Sequence, residues 1–225
     1  MKRITVLLAE DHMIVREGLR ALLEAESDIE VVGEAQTGRQ AVQLTKRLRP
    51  AVVVMDIAMP QLNGLEATQR ILKAVPATRV LILSAHGDDG YLRQVVMLGA
   101  AGYLIKQTSA DLLSRAIREV QKGNTFYSPS IANRVHRLCL ESPGGCKSPK
   151  KKKAALTSRE LEVLQLIAEG RANKQVAREL GISIKTVEKH RQHLMSKLDI
   201  HDTAGVTRYA IAAGIIESRV QVTIL

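Results

Sequence analysis

Five times within the first 123 residues, a short apolar run is followed by a stretch whose apolar residues have helical spacing. The pairs are ITVLLA (4–9) with IVREGLRALLEA (14–25), EVVGEA (30–35) with GRQAVQLTKRL (38–48), and AVVVMD (51–56) with GLEATQRILKAV (64–75). RVLILS (79–84) with DDGYLRQVVMLG (88–99) and AGYLIK (101–106) with SADLLSRAIREVQKG (109–123) complete the set. Few patterns constrain a chain more. Strand–helix–strand repeats join parallel strands through right-handed crossovers. The central runs are apolar throughout, as strands covered on both faces must be. The pattern predicts an α/β unit, a doubly wound five-stranded parallel sheet with helices on both sides.

In open sheets of this kind, function gathers at the carboxyl ends of the strands. The first run ends in the paired acids Glu10 and Asp11, the third in Asp56, the fourth in Ser84 and the fifth in Lys106. Three carboxylates around one point suit a hard divalent cation such as Mg2+. A hydroxyl and an ammonium beside them suit a phosphoryl group. Asp56, alone between apolar flanks in VVVMDIAMP, is the best candidate for a nucleophile that attacks phosphorus while a metal neutralises the incoming charge. Taken singly, each residue has a plainer use: a helix cap, a turn hydroxyl, a surface charge. Their joint placement at strand ends argues for a shared pocket.

Composition changes at ESPGGCKSPKKKKAAL (141–156), where Pro, Gly, Ser and a run of Lys make a poor helix and a good linker. We divide the chain into residues 1–125, a linker over 126–153, and residues 154–225. Of the net charge of +10, the part from Lys147 onward holds 15 Lys/Arg against 8 Asp/Glu, or +7. That excess points to a polyanionic partner for the C-terminal part. With one Phe, four Tyr and no Trp, base stacking is a poor candidate mode. Cys139 and Cys146, even with His136 near, match no zinc template and read as free thiols. No apolar stretch approaches the roughly 18–20 residues of a membrane span, and the N-terminus lacks a cleavable leader, so we expect a cytoplasmic protein with no membrane partner.

The C-terminal part reads as four short helices. Thr157 and Glu160 form a capping box before ELEVLQLIAEG, Gly170 ends that helix, and NKQVARELG is stopped by Gly181. Ser183 opens a third helix with the inward stripe Val187, Arg191, Leu194 and Leu198; DTAGVTRYAIAAGI is the fourth. Two short helices joined by LGIS make a helix-turn-helix. Glu188, Lys189 and Gln192 then face outward, able to read base edges, with His193 and Ser196 continuing that face. Lys174, Lys185, Thr186 and Lys197 flank them to hold phosphates, and Arg191 is inward by position yet long enough to join them. A helical docking module with a solvated basic face is the alternative.

Residues 1–123 resemble the receiver domain of two-component response regulators. The matching features are Glu10-Asp11, MDIAMPQLNGLEA around Asp56, Ser84, GAAGYLIK and the order of elements. The segment LTSRELEVLQLIAEGRANKQVARELGISIKTVEKHRQHLMSKL resembles the LuxR-type DNA-binding domain, and the whole chain resembles a NarL/FixJ-type response regulator. The resemblance implies a flavodoxin-like sheet with strand order 2-1-3-4-5. It also implies that Asp56 accepts phosphate from a histidine kinase. Mg2+, or Mn2+ in its place, would be held by Glu10, Asp11, Asp56 and the backbone carbonyl of Ala58. Ser84 and Lys106 would contact the phosphoryl oxygens, and Ser84 and Tyr103 would form the switch. Activated chains would form a homodimer on a double-stranded DNA operator through the fourth helix, with Ala204, Val206, Ala210 and Ala213 as its small-residue face, a face that serves packing within the domain equally well. RNA polymerase is a further partner of such regulators. Slow self-phosphorylation from small donors and self-dephosphorylation are the only turnover expected. Asp-dependent hydrolases also use Mg2+, but they carry a second Asp two residues on, where this chain has Ala58. Departures from the pattern are Ala51, Gln107, Ala172 and Gln175, none of them among the expected pocket or base-facing residues.

Overall fold

The computed structural model describes residues 3–85, 89–107, 109–140 and 156–216. The chain divides into two compact units, Met1–Pro149 and Lys150–Leu225. The linker stretch 141–155, with Cys146 and the lysine run, lies outside the described residues, as does the side chain of Cys139.

The first unit runs β1 (Ile4–Ala9), α1 (Met13–Glu24), β2 (Ile29–Ala35), α2 (Gly38–Leu48), β3 (Val52–Asp56) and α3 (Gly64–Ala74). It continues β4 (Arg79–Ser84), α4 (Asp89–Leu98), β5 (Gly102–Ile105), α5 (Ala110–Gln121), β6 (Phe126–Tyr127) and α6 (Pro129–Leu140). All strand pairs are parallel, in the order β2-β1-β3-β4-β5-β6. Alternate residues of each strand face opposite cores. Leu7, Val53, Met55 and Ile82 pack on one side; Val6, Leu8, Val54 and Leu81 pack on the other.

One expectation needs correction. Among the described residues the sheet has six strands, not five, and β6 and α6 lie within the stretch 126–153 read as linker. Phe126 and Tyr127 pair with Gly102 and Tyr103, but two residues are too few to show strand periodicity. The start of α6 is marked by Pro129 at its first position, where a missing N–H costs nothing. The Ser128 carbonyl accepts from the N–H groups of Ile131 and Ala132, and Ile131 is fully buried in the core that holds Leu92 and Val95.

The second unit packs α7 (Ser158–Ala168), α8 (Asn173–Leu180), α9 (Ile184–Leu198) and α10 (Thr203–Ala212) around Leu164, Val176, Val187, Leu194 and Val206. Gly181, at φ +64°, makes the turn between α8 and α9 in a conformation that side chains disfavour. Among the described residues, no helix is long and apolar enough to cross a membrane.

The capping box at α7 is present: the Thr157 N–H donates to Glu160 Oε2 at 2.8 Å and the Glu160 N–H to Thr157 Oγ1 at 3.3 Å. Lys197 Nζ adds a 2.7 Å ion pair to the same carboxylate oxygen. Burial is the largest single influence on Glu160 and pushes its pKa up; the Lys197 and Thr157 hydrogen bonds together outweigh it, and the net direction is down from 4.5. A carboxylate with a lowered folded-state pKa contributes stability above its ordinary pKa and loses it as pH falls through the folded value. Glu160→Gln is therefore expected to cost this unit about 2 kcal/mol at neutral pH. In urea unfolding, that gap should narrow as pH falls below the ordinary carboxylate range, where the wild-type carboxylate takes up its proton.

Candidate functional site

The carboxyl edge of the sheet assembles an acidic pocket. Glu10 follows β1, with its N–H donating to the Ala35 carbonyl of β2 at 3.0 Å, and Asp56 ends β3. Both are almost wholly buried, at 1% and 3% exposure. Glu10, Asp11, His12 and Asp56 each offer a ligand atom, and all four atoms lie within 4.8 Å of one another. Lys106 follows β5, anchored by its N–H to the Ser84 carbonyl at 2.8 Å. Its Nζ reaches Glu10 Oε2 at 2.8 Å and Asp56 Oδ2 at 3.0 Å. Burial, the largest single influence, pulls the Lys106 ammonium toward neutrality; the charges of Asp56 and Glu10 and the bonds to them outweigh it and raise its pKa.

Two features hold this edge. Arg16, buried on α1, donates through Nη1 to the Glu10 carbonyl at 2.9 Å and through Nε to Glu34 Oε2 at 3.0 Å. It thereby pins the loop that carries the paired acids to β2. On the other side, Asn63 caps α3 by accepting from the Glu66 N–H at 2.9 Å, and Gly64 sits directly against the Asp56 carbonyl, where a Cβ would collide with it. The absence of a side chain at position 64 sets how closely α3 approaches β3.

Ser84 ends β4, buried, one residue beyond the Asp56–Leu83 register pair. Tyr103 lies on β5 beside Ile82 and is fully buried in the core that holds Leu92 and Val95. It therefore occupies an interior position already. Ala58 lies two residues past Asp56 in the loop closed by the Gly64 N–H to Ile57 carbonyl bond at 2.8 Å. Sequence reasoning missed His12 and Arg16. The signal for His12 was its adjacency to the acid pair; Arg16 had only its place one turn into α1.

Three carboxylates and the Lys106 ammonium converge on this edge of the sheet. Oxygen donors of this kind, crowded within one coordination radius, fit a hard divalent cation. The chemistry open to such a pocket is phosphoryl or metal binding at a strand-end carboxylate.

On the second unit, Glu188, Lys189, Gln192, His193 and Ser196 are exposed along one side of α9, while Val187 and Leu194 are buried on the other. Lys174 and Lys185 are exposed; Thr186 is half-buried, its N–H donating to the Ser183 cap at 3.1 Å. Arg191 bridges two helix starts, donating to Asn173 Oδ1 at 3.4 Å and Thr203 Oγ1 at 2.6 Å. Lys197 is engaged by Glu160 rather than presented with the other lysines. Val206 and Ala210 are fully buried in the unit's own core, leaving Ala204, Arg208 and Ile211 exposed.

The family of response regulator receiver domains matches residues 6–118, and the luxR family of bacterial regulatory proteins matches residues 154–210. The chain is a response regulator. It is 41% identical over 207 residues to the transcriptional regulatory protein LiaR of Bacillus subtilis, covering 92% of this chain and 96% of that protein. It is 35% identical over 228 residues to the transcriptional regulatory protein DegU of Brevibacillus brevis, covering 96% and 97%. Among solved structures, this response regulator resembles ChrA of a heme-sensing two-component system, at 33% identity, TM-score 0.52, 96% of this chain and 100% of that one. It also resembles RcsB of Salmonella typhimurium, at 27% identity, TM-score 0.57, 94% and 100%. A further RcsB structure, described as two dimers bound to two parallel DNAs, matches at 27% identity, TM-score 0.56, 92% and 98%. The chain is thus a two-component transcriptional regulator built from a receiver domain and a LuxR-type DNA-binding domain.

Proposed function

We propose that Asp56 is the phosphoacceptor and that its modification controls dimeric DNA binding. The convergence of Glu10, Asp11, Asp56 and Lys106 at one sheet edge carries this reading. A carboxylate oxygen of Asp56 attacks the phosphorus of a phosphohistidine on the kinase. The new bond is an acyl phosphate O–P bond, and the histidine N–P bond breaks, its electron pair returning to the imidazole. Glu10, Asp11, Asp56 and the Ala58 carbonyl would hold Mg2+, with Mn2+ an acceptable substitute. Bound there, the ion supplies charge neutralisation to the incoming phosphoryl group. Lys106 is placed to pair with the phosphoryl oxygens, and Ser84 to hydrogen-bond them.

The modification adds roughly −1.5 to −2 charge and new acceptor oxygens to the pocket. Its effect is a population shift across β4, α4 and β5. Because Tyr103 is already interior, phosphorylation holds that arrangement rather than creating it. In the C-terminal domain, Glu188, Lys189 and Gln192 read base edges in the major groove, while Lys174, Lys185 and Thr186 position the backbone. Arg191 fixes the starts of α8 and α10 and presents its remaining donor capacity to phosphate. Dimerisation through the exposed Ala204, Arg208 and Ile211 side of α10 would set two reading helices about 34 Å apart, with RNA polymerase a downstream partner in the cytoplasm.

The test is direct. Incubated with acetyl phosphate and Mg2+, the chain should gain the mass of one phosphoryl group, and Asp56→Asn should gain none. Equal labelling of the two proteins would place the acceptor elsewhere.

A further inference from the structure

The residue after the acid pair is unexplained by the pocket's charge needs alone. His12 is the N-cap residue of α1, yet its ring makes no capping hydrogen bond. Instead Nδ1 points back between the two acids, 3.0 Å from Asp11 Oδ1 and 3.1 Å from Glu10 Oε1. The backbone reinforces this turn, since the His12 N–H donates to the same Glu10 oxygen at 3.2 Å. The ring is half-exposed, at 51%, and so stands at the mouth of the pocket. Its donor atom belongs to the group of four ligand atoms that lie within 4.8 Å of one another.

We propose that His12 is a fourth protein ligand in this pocket, making it a mixed oxygen–nitrogen site that takes Zn2+ or a related first-row divalent ion more tightly than Mg2+. The proposal rests on the reading of Glu10, Asp11 and Asp56 as metal ligands and adds a residue and a selectivity to it. Carboxylates alone favour Mg2+ and Mn2+, whereas an imidazole nitrogen adds affinity for Zn2+, Co2+ and Ni2+ and little for Mg2+, which dehydrates reluctantly. The consequence is competition at the phosphoacceptor: a transition ion held through His12 displaces Mg2+ from the same carboxylates.

The competing account is that His12 acts only as a positive charge over two acids, in which case it contributes to no particular metal. The two separate by spectroscopy and by selectivity. Mn2+ is added to the full-length chain and its electron spin echo examined for coupling to an imidazole nitrogen. Mg2+ and Zn2+ affinities are then measured by displacement of that Mn2+. The wild type should show nitrogen coupling, and His12→Ala and His12→Phe should not. Both variants should lose about tenfold or more in Zn2+ affinity with Mg2+ affinity nearly unchanged. Mn2+ bound without nitrogen coupling, or equal changes for Mg2+ and Zn2+, would overturn the assignment of His12 and leave the carboxylate pocket standing. If Mn2+ does not bind, or binds Asp56→Asn as tightly as wild type, the pocket reading itself fails and takes this proposal with it.

Discussion

Gly64→Val is expected to remove about 3 kcal/mol from the receiver unit, at the upper end of overpacking costs. The reason is local. A Cβ at position 64 runs into the Asp56 carbonyl, a backbone atom fixed by the sheet and unable to step aside. Either α3 is pushed off β3 or the Asp56 end of the strand bends, so phosphorylation should fall with stability. Gly18→Ala on α1 makes the contrast. That position has open space around its would-be Cβ, and the change should stabilise by up to about 1 kcal/mol through helix propensity. Urea midpoints of the two variants should therefore move in opposite directions. Movement in the same direction would show that the close approach of α3 to β3 is not what position 64 protects.

Lys106→Met is the second large effect. The ammonium is the partner of both Glu10 and Asp56, at 2.8 and 3.0 Å, and its removal takes one positive charge from two buried carboxylates at once. Losing one partner of a buried charge pair costs about 3 kcal/mol, so the thermal midpoint should drop clearly in metal-free buffer. A divalent cation should restore much of the loss, because a ligand that binds only the folded state stabilises in proportion to its occupancy. The account thus expects Mg2+ to raise the midpoint more in Lys106→Met than in wild type, where the ammonium competes for the same oxygens. An equal or smaller Mg2+ shift would mean that Lys106 and the metal do not share those carboxylates. Phosphate-dependent switching should be lost in this variant even where the acyl phosphate forms.

The sequence made the pocket legible because its members lie at strand ends. Apolar runs fixed where β1, β3, β4 and β5 stop, and parallel topology brings every carboxyl end to one edge. Glu10, Asp56 and Lys106 could thus be placed together from positions up to 96 residues apart. What escaped was set by short or non-local interactions. β6 is only two residues long and has no periodicity to read. Lys197 reads in sequence as a phosphate contact, and its pairing with Glu160, 37 residues away, is not legible there because it depends on how α7 and α9 pack. For Val206 and Ala210 the sequence leaves dimer contact and intramolecular packing both open, because small residues serve either; the core around α10 claims both. Arg191 is inward by position with a side chain long enough to turn outward, and its bonds to Asn173 and Thr203 depend on packing that the sequence does not display.

How the pocket governs DNA binding can be measured on one duplex carrying an inverted repeat selected from random sequence. Affinity is compared with and without beryllofluoride and Mg2+, for wild type and Asp56→Asn, across a series of salt concentrations. The account predicts a gain in affinity on treatment of wild type only. Because each phosphate contact releases about one counterion, it also predicts a steep decline with salt in the bound state. No gain in wild type, or the same gain in Asp56→Asn, would contradict control of this regulator through the pocket at Asp56.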